Sequence, residues 1–71
     1  MITLTINGDE KRVDTNLNLA ELLESIKIIP SKVAVERNRE IVPKSTYRDV
    51  MIEDGDQLEI VHFIGGGLKV A

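Results

Sequence analysis

The 71-residue sequence has no cysteine. That absence excludes disulfides, a thiolate nucleophile and cysteine-ligated zinc together. Any sulfur chemistry must therefore use a group other than a thiol side chain. No apolar run is long enough to span a bilayer. Met1 leads straight into an alternating pattern, without the basic stretch and apolar core of a secretory leader, so a cytoplasmic location is expected. Basic excess is missing too. With net charge −3 and pI ≈ 5.0, the chain is a poor match for nucleic acid or anionic membrane and a better one for a positively charged protein. Histidine occurs once, at His62, with no second ligand at useful spacing. It reads as a strand residue, and no metal site is expected. No nucleophile–base pair is evident either, so the chain is expected to be a cosubstrate and not an enzyme.

What is present is the composition of a small soluble globule, 42% apolar and 30% charged. One domain is expected, near the size at which a core is only just sufficient. "MITLTINGDEKRV" reads as a hairpin. Ile2, Leu4 and Ile6 alternate with Thr3 and Thr5, and Asn7-Gly8 suits a type I′ turn, where both central residues take positive φ. A short charged partner strand follows at about 10–13, as befits an edge. "LNLAELLESIK" is the clearest helix. Asn18 and Glu21 form a capping-box pair, Leu17 and Leu22 a hydrophobic staple, and Leu19, Leu22, Leu23 and Ile26 one apolar stripe. Pro30 bars continuation past Ile29.

Two short strands are expected at 33–36 and 40–42, turning at Arg37, Asn38 and Arg39, whose arginines are read as solvated. Pro43 ends that pairing. "STYRDVMI" reads as an irregular or 3₁₀ turn capped by Ser45, with Tyr47 packed inward. In "EDGD", Gly55 supplies the permissive turn backbone, and Glu53, Asp54, Asp56 and Glu59 are expected to form an acidic rim. The set is too poor in oxygen donors at fixed positions for a calcium loop. "QLEIVHFI" is the last strand.

The order β-β-α-β-β-β, with one helix to cover one face of a mixed sheet, predicts an α+β, β-grasp (ubiquitin-like) fold. The first and last strands lie parallel at its centre. Residues 1–64 form this domain and 65–71 a flexible Gly-rich tail. In the last strand, Leu58 and Ile60 face the helix beside Leu4 and Ile6. Glu59, Val61 and Phe63 face away and are read as a docking surface.

Gly65, Gly66 and Gly67 follow that strand. A phosphate-binding loop would need a helix after the glycines, which Lys69 and Val70 do not begin. A linker remnant and a threading tail remain. As a threading tail, three residues without Cβ atoms lie extended in a narrow channel and reach about 10 Å beyond the globule. A carboxylate delivered at the tip is a poor electrophile until adenylation gives it AMP as a leaving group. Displacement of AMP by a persulfide then makes a thiocarboxylate, a way to carry sulfur without cysteine.

"NREIVPKSTY", "EDGDQLEIVHFIGGG" and "LAELLES" resemble the ThiS family, sulfur carriers of thiamine thiazole synthesis, over nearly the whole chain to Gly67. The resemblance implies no bound cofactor and ATP-dependent adenylation by a ThiF-type enzyme. It also implies sulfur from a donor such as a cysteine desulfurase, delivery to the thiazole synthase ThiG, and a monomeric free carrier. It places the thiocarboxylate on Gly67, or less in keeping with the family on Gly66. Active carriers of the family end at glycine, so Leu68, Lys69, Val70 and Ala71 would have to be removed first. Another sulfur pathway (molybdopterin or tungsten cofactor, or cysteine) and a non-catalytic ubiquitin-like interaction module stand as alternatives.

Overall fold

The computed structural model describes residues 1–64 and 67–70, with side chains described for residues 1–63. Strand β1 (Ile2–Ile6) turns through Asn7 (φ 49°) and Gly8 (φ 86°) into β2 (Asp9–Val13), in antiparallel register from Ile2 opposite Val13 to Ile6 opposite Asp9. Both turn residues take the positive φ that the Asn-Gly pair accommodates. Helix α1 (Leu19–Ser25) starts at Asn18, whose side chain accepts from the Glu21 N–H at 2.8 Å; the Glu21 carboxylate accepts from the Asn18 N–H at 3.0 Å.

The helix ends without proline. Ile28 N–H donates to the Leu23 carbonyl at 2.8 Å and Lys27 N–H to that of Glu24 at 3.0 Å, with Lys27 at φ 65°. That is a Schellman stop, in which a left-handed residue turns the chain and satisfies the last carbonyls. Pro30 instead opens a 3₁₀ turn, Pro30–Lys32. Seven residues are too few for a helix to persist alone. This one is held because Leu19, Ala20, Leu22 and Leu23 are buried.

Strands β3 (Val33–Arg37) and β4 (Glu40–Val42) pair through a tight turn at Asn38 and Arg39, both at positive φ. A 3₁₀ turn, Lys44–Thr46, follows Pro43. Ser45 lies inside this turn and does not cap it. Pro43 holds the cap position with no side-chain hydrogen bond, and the Thr46 hydroxyl donates to the Pro43 carbonyl at 2.7 Å. Strand β5 (Gln57–Ile64) runs through the centre of the sheet, giving the order β2-β1-β5-β3-β4. It is parallel to β1 and antiparallel to β3, as expected of a β-grasp.

A further strand, β6 (Gly67–Val70), pairs antiparallel with the far end of β5, from Ile64 opposite Gly67 to Val61 opposite Val70. No strand was expected there. Of the tail read from the sequence at 65–71, Gly65, Gly66 and Ala71 lie outside the described residues.

The core sits between α1 and one face of the sheet. Leu4, Leu58, Ile60, Val33 and Val35 meet Leu19, Leu22 and Leu23 there, all at most 1% exposed. Tyr47 is buried with them, its hydroxyl donating to the Val33 carbonyl at 3.2 Å. Burial pushes its phenol above the ordinary range, outweighing the opposing effect of the Val35 backbone.

Candidate functional site

The candidate site lies along β5. Alternation along this strand divides it cleanly: Leu58 and Ile60 are buried, Glu59 and Phe63 exposed, and Val61 half-buried. The register carries the division into the neighbouring strands. Glu59 lies opposite Glu36, Val61 opposite Ala34, and Glu36 in turn opposite Ile41 of β4. The open face thus presents Val61, Ala34 and the 73%-exposed Ile41 around two carboxylates in direct cross-strand register. Like charges placed so repel, and among the described residues neither carboxylate has an ion-pair partner. Glu36 and Ile41 thus share one face with Glu59 and Val61, two of the three residues read from the sequence as a docking surface. Only the β3–β4–β5 register, which spans more than 20 residues of sequence, brings them in. Phe63 lies under a cation, with the Lys44 ammonium 4.3 Å from its ring centroid while also donating to the Ser31 carbonyl at 2.7 Å.

Two devices fix where β5 begins and where its edge opens. The first is Asp56, just before the strand. Its carboxylate accepts from Arg37 Nε at 2.9 Å, Asn38 Nδ2 at 3.0 Å and the Glu53 N–H at 2.8 Å, and the residue is 5% exposed. Burial alone would raise this carboxyl. The hydrogen bonds from Glu53, Arg37 and Asn38, with the Arg37 charge, outweigh it and hold the group below the ordinary carboxylate range. Asp56 is therefore an internal brace and not part of an acidic rim, and Arg37 is its partner, not a solvated turn residue.

The second device is Asn7. Its N–H donates to the Leu58 carbonyl at 2.9 Å, and its side chain then imitates a further strand residue. Oδ1 accepts from the Ile60 N–H at 2.7 Å, and Nδ2 donates to the Ile60 carbonyl at 3.2 Å. The β1 side of β5 is thereby occupied as far as Ile60.

His62 is half-buried in β5, opposite Val33. Among the described residues, no three or more His, Asp or Glu side chains are grouped to hold a metal. No helix among them is long and apolar enough to cross a membrane. Gly67, the position read as the carboxylate-bearing end, begins β6, and its partner in the ladder is Ile64.

The ThiS family model matches residues 4–67, nearly all of the globule and the glycine run. Sulfur carrier protein ThiS of Bacillus subtilis is 43% identical over 65 residues, which cover 90% of this chain and 98% of that protein. Thiazole synthase of Paramagnetospirillum magneticum is 53% identical over 64 residues, covering 90% of this chain; the chain spans only about a fifth of that relative's length (20%). The crystal structure of the thiamine biosynthesis protein ThiS from Geobacter metallireducens superposes with a TM-score of 0.80 at 36% identity, covering 93% of this chain and all of that one. With the β-grasp order of its sheet and a family match that runs from Leu4 to Gly67, this chain belongs to the ThiS family.

Proposed function

We propose that the protein is a sulfur carrier of thiamine biosynthesis, and that Gly67 is the residue that bears the sulfur. The observation that carries this reading is the position of the glycine run. The family match ends at Gly67, directly beyond the strand that forms the middle of the sheet. The likeness to both a free carrier and the ThiS-like fifth of a thiazole synthase supports the thiazole branch over other sulfur pathways.

In this reading the chain is a cosubstrate. A ThiF-type partner holds ATP, and the Gly67 carboxylate attacks its α-phosphorus, releasing pyrophosphate and forming an acyl-adenylate. A persulfide from a cysteine desulfurase displaces AMP, and reductive cleavage of the resulting acyl disulfide by a thiol leaves the thiocarboxylate, whose sulfur passes to thiazole synthase. The chain contributes the carboxylate, a tail with no Cβ to obstruct a channel, and a docking face at Glu59, Val61 and Phe63. It holds no cofactor of its own.

Gly67 has no carboxylate while its carbonyl is bonded to Leu68. Hydrolysis of that amide is required first. Incubation of a form ending at Gly67 with ATP, a ThiF-type enzyme, a cysteine desulfurase, cysteine and a thiol reductant, followed by intact mass, tests the reading. The expected product is the carrier with one oxygen replaced by sulfur. A carrier that stays unmodified beside a positive control would overturn it.

A further inference from the structure

Residues beyond Gly67 are surplus to a carrier, yet three of them, Leu68, Lys69 and Val70, complete a ladder with Gly67. In a strand, N–H and C=O groups point to alternate sides along the chain. Ile60 directs both of its groups toward the β1 side, where Asn7 meets them. His62 and Ile64, two and four residues on, direct theirs to the same side. There β1 has ended, and β3 occupies the opposite edge. Without a further strand this would be an open sheet edge, a template for pairing. In the structure the partners of His62 and Ile64 are Lys69 and Gly67.

We propose that residues 67–70 are a latch: as β6 they fill the β5 edge left beyond Asn7 and hold the Gly67–Leu68 peptide in the sheet, so that this bond becomes available only when β6 leaves β5. The proposal rests on Gly67 being the functional end. Its consequence is a carrier stored closed. Cutting the Gly67–Leu68 bond both creates the carboxylate and removes the residues that complete the ladder, and the β5 edge is opened by the same event.

Backbone geometry supplies the test. Because His62 pairs with Lys69 through the groups that face β6, Lys69→Pro removes a ladder N–H. Val70 lies opposite Val61, whose groups point toward β3, so Val70→Pro removes an N–H that faces away from β5. Amide hydrogen exchange is measured on the 71-residue chain, both variants and a form ending at Gly67. The expected result is that His62 and Ile64 exchange about 10-fold or more slowly in the full chain and Val70→Pro than in Lys69→Pro and the shortened form.

Thermolysin cleavage at Gly67–Leu68 should likewise be about 10-fold slower in the full chain than in a peptide of residues 65–71, which lacks β5. Equal exchange in the full and shortened chains, or equal cleavage of chain and peptide, would overturn the latch. Neither measurement uses ATP or a partner enzyme. A failed latch therefore leaves the carrier reading standing, and a form ending at Gly67 that cannot be activated leaves the β5–β6 closure standing but removes its role in the carrier.

Discussion

The Arg37 guanidinium and the Asp56 carboxylate, 19 residues apart, meet at 2.9 Å and tie the end of β3 to the start of β5. Asn38 and the Glu53 N–H complete the set around Asp56, and no buried polar side chain among the described residues is left without a partner. Removing the carboxylate would leave three donors without this acceptor, one of them on the half-buried Arg37 cation. Asp56→Ala should cost about 3 kcal/mol, a large share of the stability of a domain this small. Urea unfolding measures it.

The same pair predicts an acid limb. Asp56 is held below the ordinary carboxylate value of 3.8, so its contribution is complete above that pH and is lost as pH falls through the depressed folded-state value. The unfolding free energy should drop steadily below about pH 4. In Asp56→Asn, which keeps the shape but not the titration, that limb should be shallower. Parallel limbs in the two proteins would contradict this assignment.

Much of this architecture was legible in the sequence, and the parts that were not share a cause. Alternation at Ile2, Leu4 and Ile6, the Asn7-Gly8 turn and the Asn18–Glu21 box are local signals, and each appears in the structure as read. The helix stop, the Asp56 brace and the side-chain ladder of Asn7 were not foreseen. Lys27 is an ordinary helix former that takes the left-handed position because Ile28 must reach the Leu23 carbonyl. Asp56 looked like one of several turn acids until Arg37 arrived from another strand. Asn7 spends its turn chemistry on Ile60, 53 residues away. Of the site, the alternation of Glu59, Val61 and Phe63 was readable from β5 alone, whereas Glu36 and Ile41 required the register.

Lys27 offers a gain. A non-glycine residue at φ 65° is strained by its Cβ, and glycine is favoured at that position of a Schellman stop. Lys27→Gly should stabilise the fold by about 0.5–1 kcal/mol, net of the greater freedom of glycine in the unfolded chain. Thermal unfolding should show a melting point higher by a few degrees, on the order of 4 °C. A lower one would mean that Lys27 makes contacts worth more than its strain.

The two faces of β5 should respond oppositely to charge. Ile60 is 1% exposed, so Ile60→Asp buries an unpaired carboxylate and should unfold the domain. Val61→Asp and Phe63→Asp add a charge on the open face. They should leave the circular dichroism spectrum native while weakening activation by a ThiF-type partner. Phe63→Asp also exchanges the ring under Lys44 for a carboxylate, which can still meet that ammonium. If Phe63→Asp proves as unfolded as Ile60→Asp, the open-face assignment is wrong.

The Gly67 carboxylate, and no other, should be the group activated. ATP–pyrophosphate exchange with a purified ThiF-type enzyme compares the 71-residue chain with forms ending at Gly67 and at Gly66. In the longer chain, the side chains of Leu68, Lys69 and Val70 would have to enter a channel suited to glycine, and a misplacement of about 1 Å can cost on the order of 100-fold in rate. Exchange should be strong with the form ending at Gly67, weaker with that ending at Gly66, and lower by about 100-fold or more with the full chain. Equal exchange by the intact 71-residue chain, its mass verified after the assay, would contradict it.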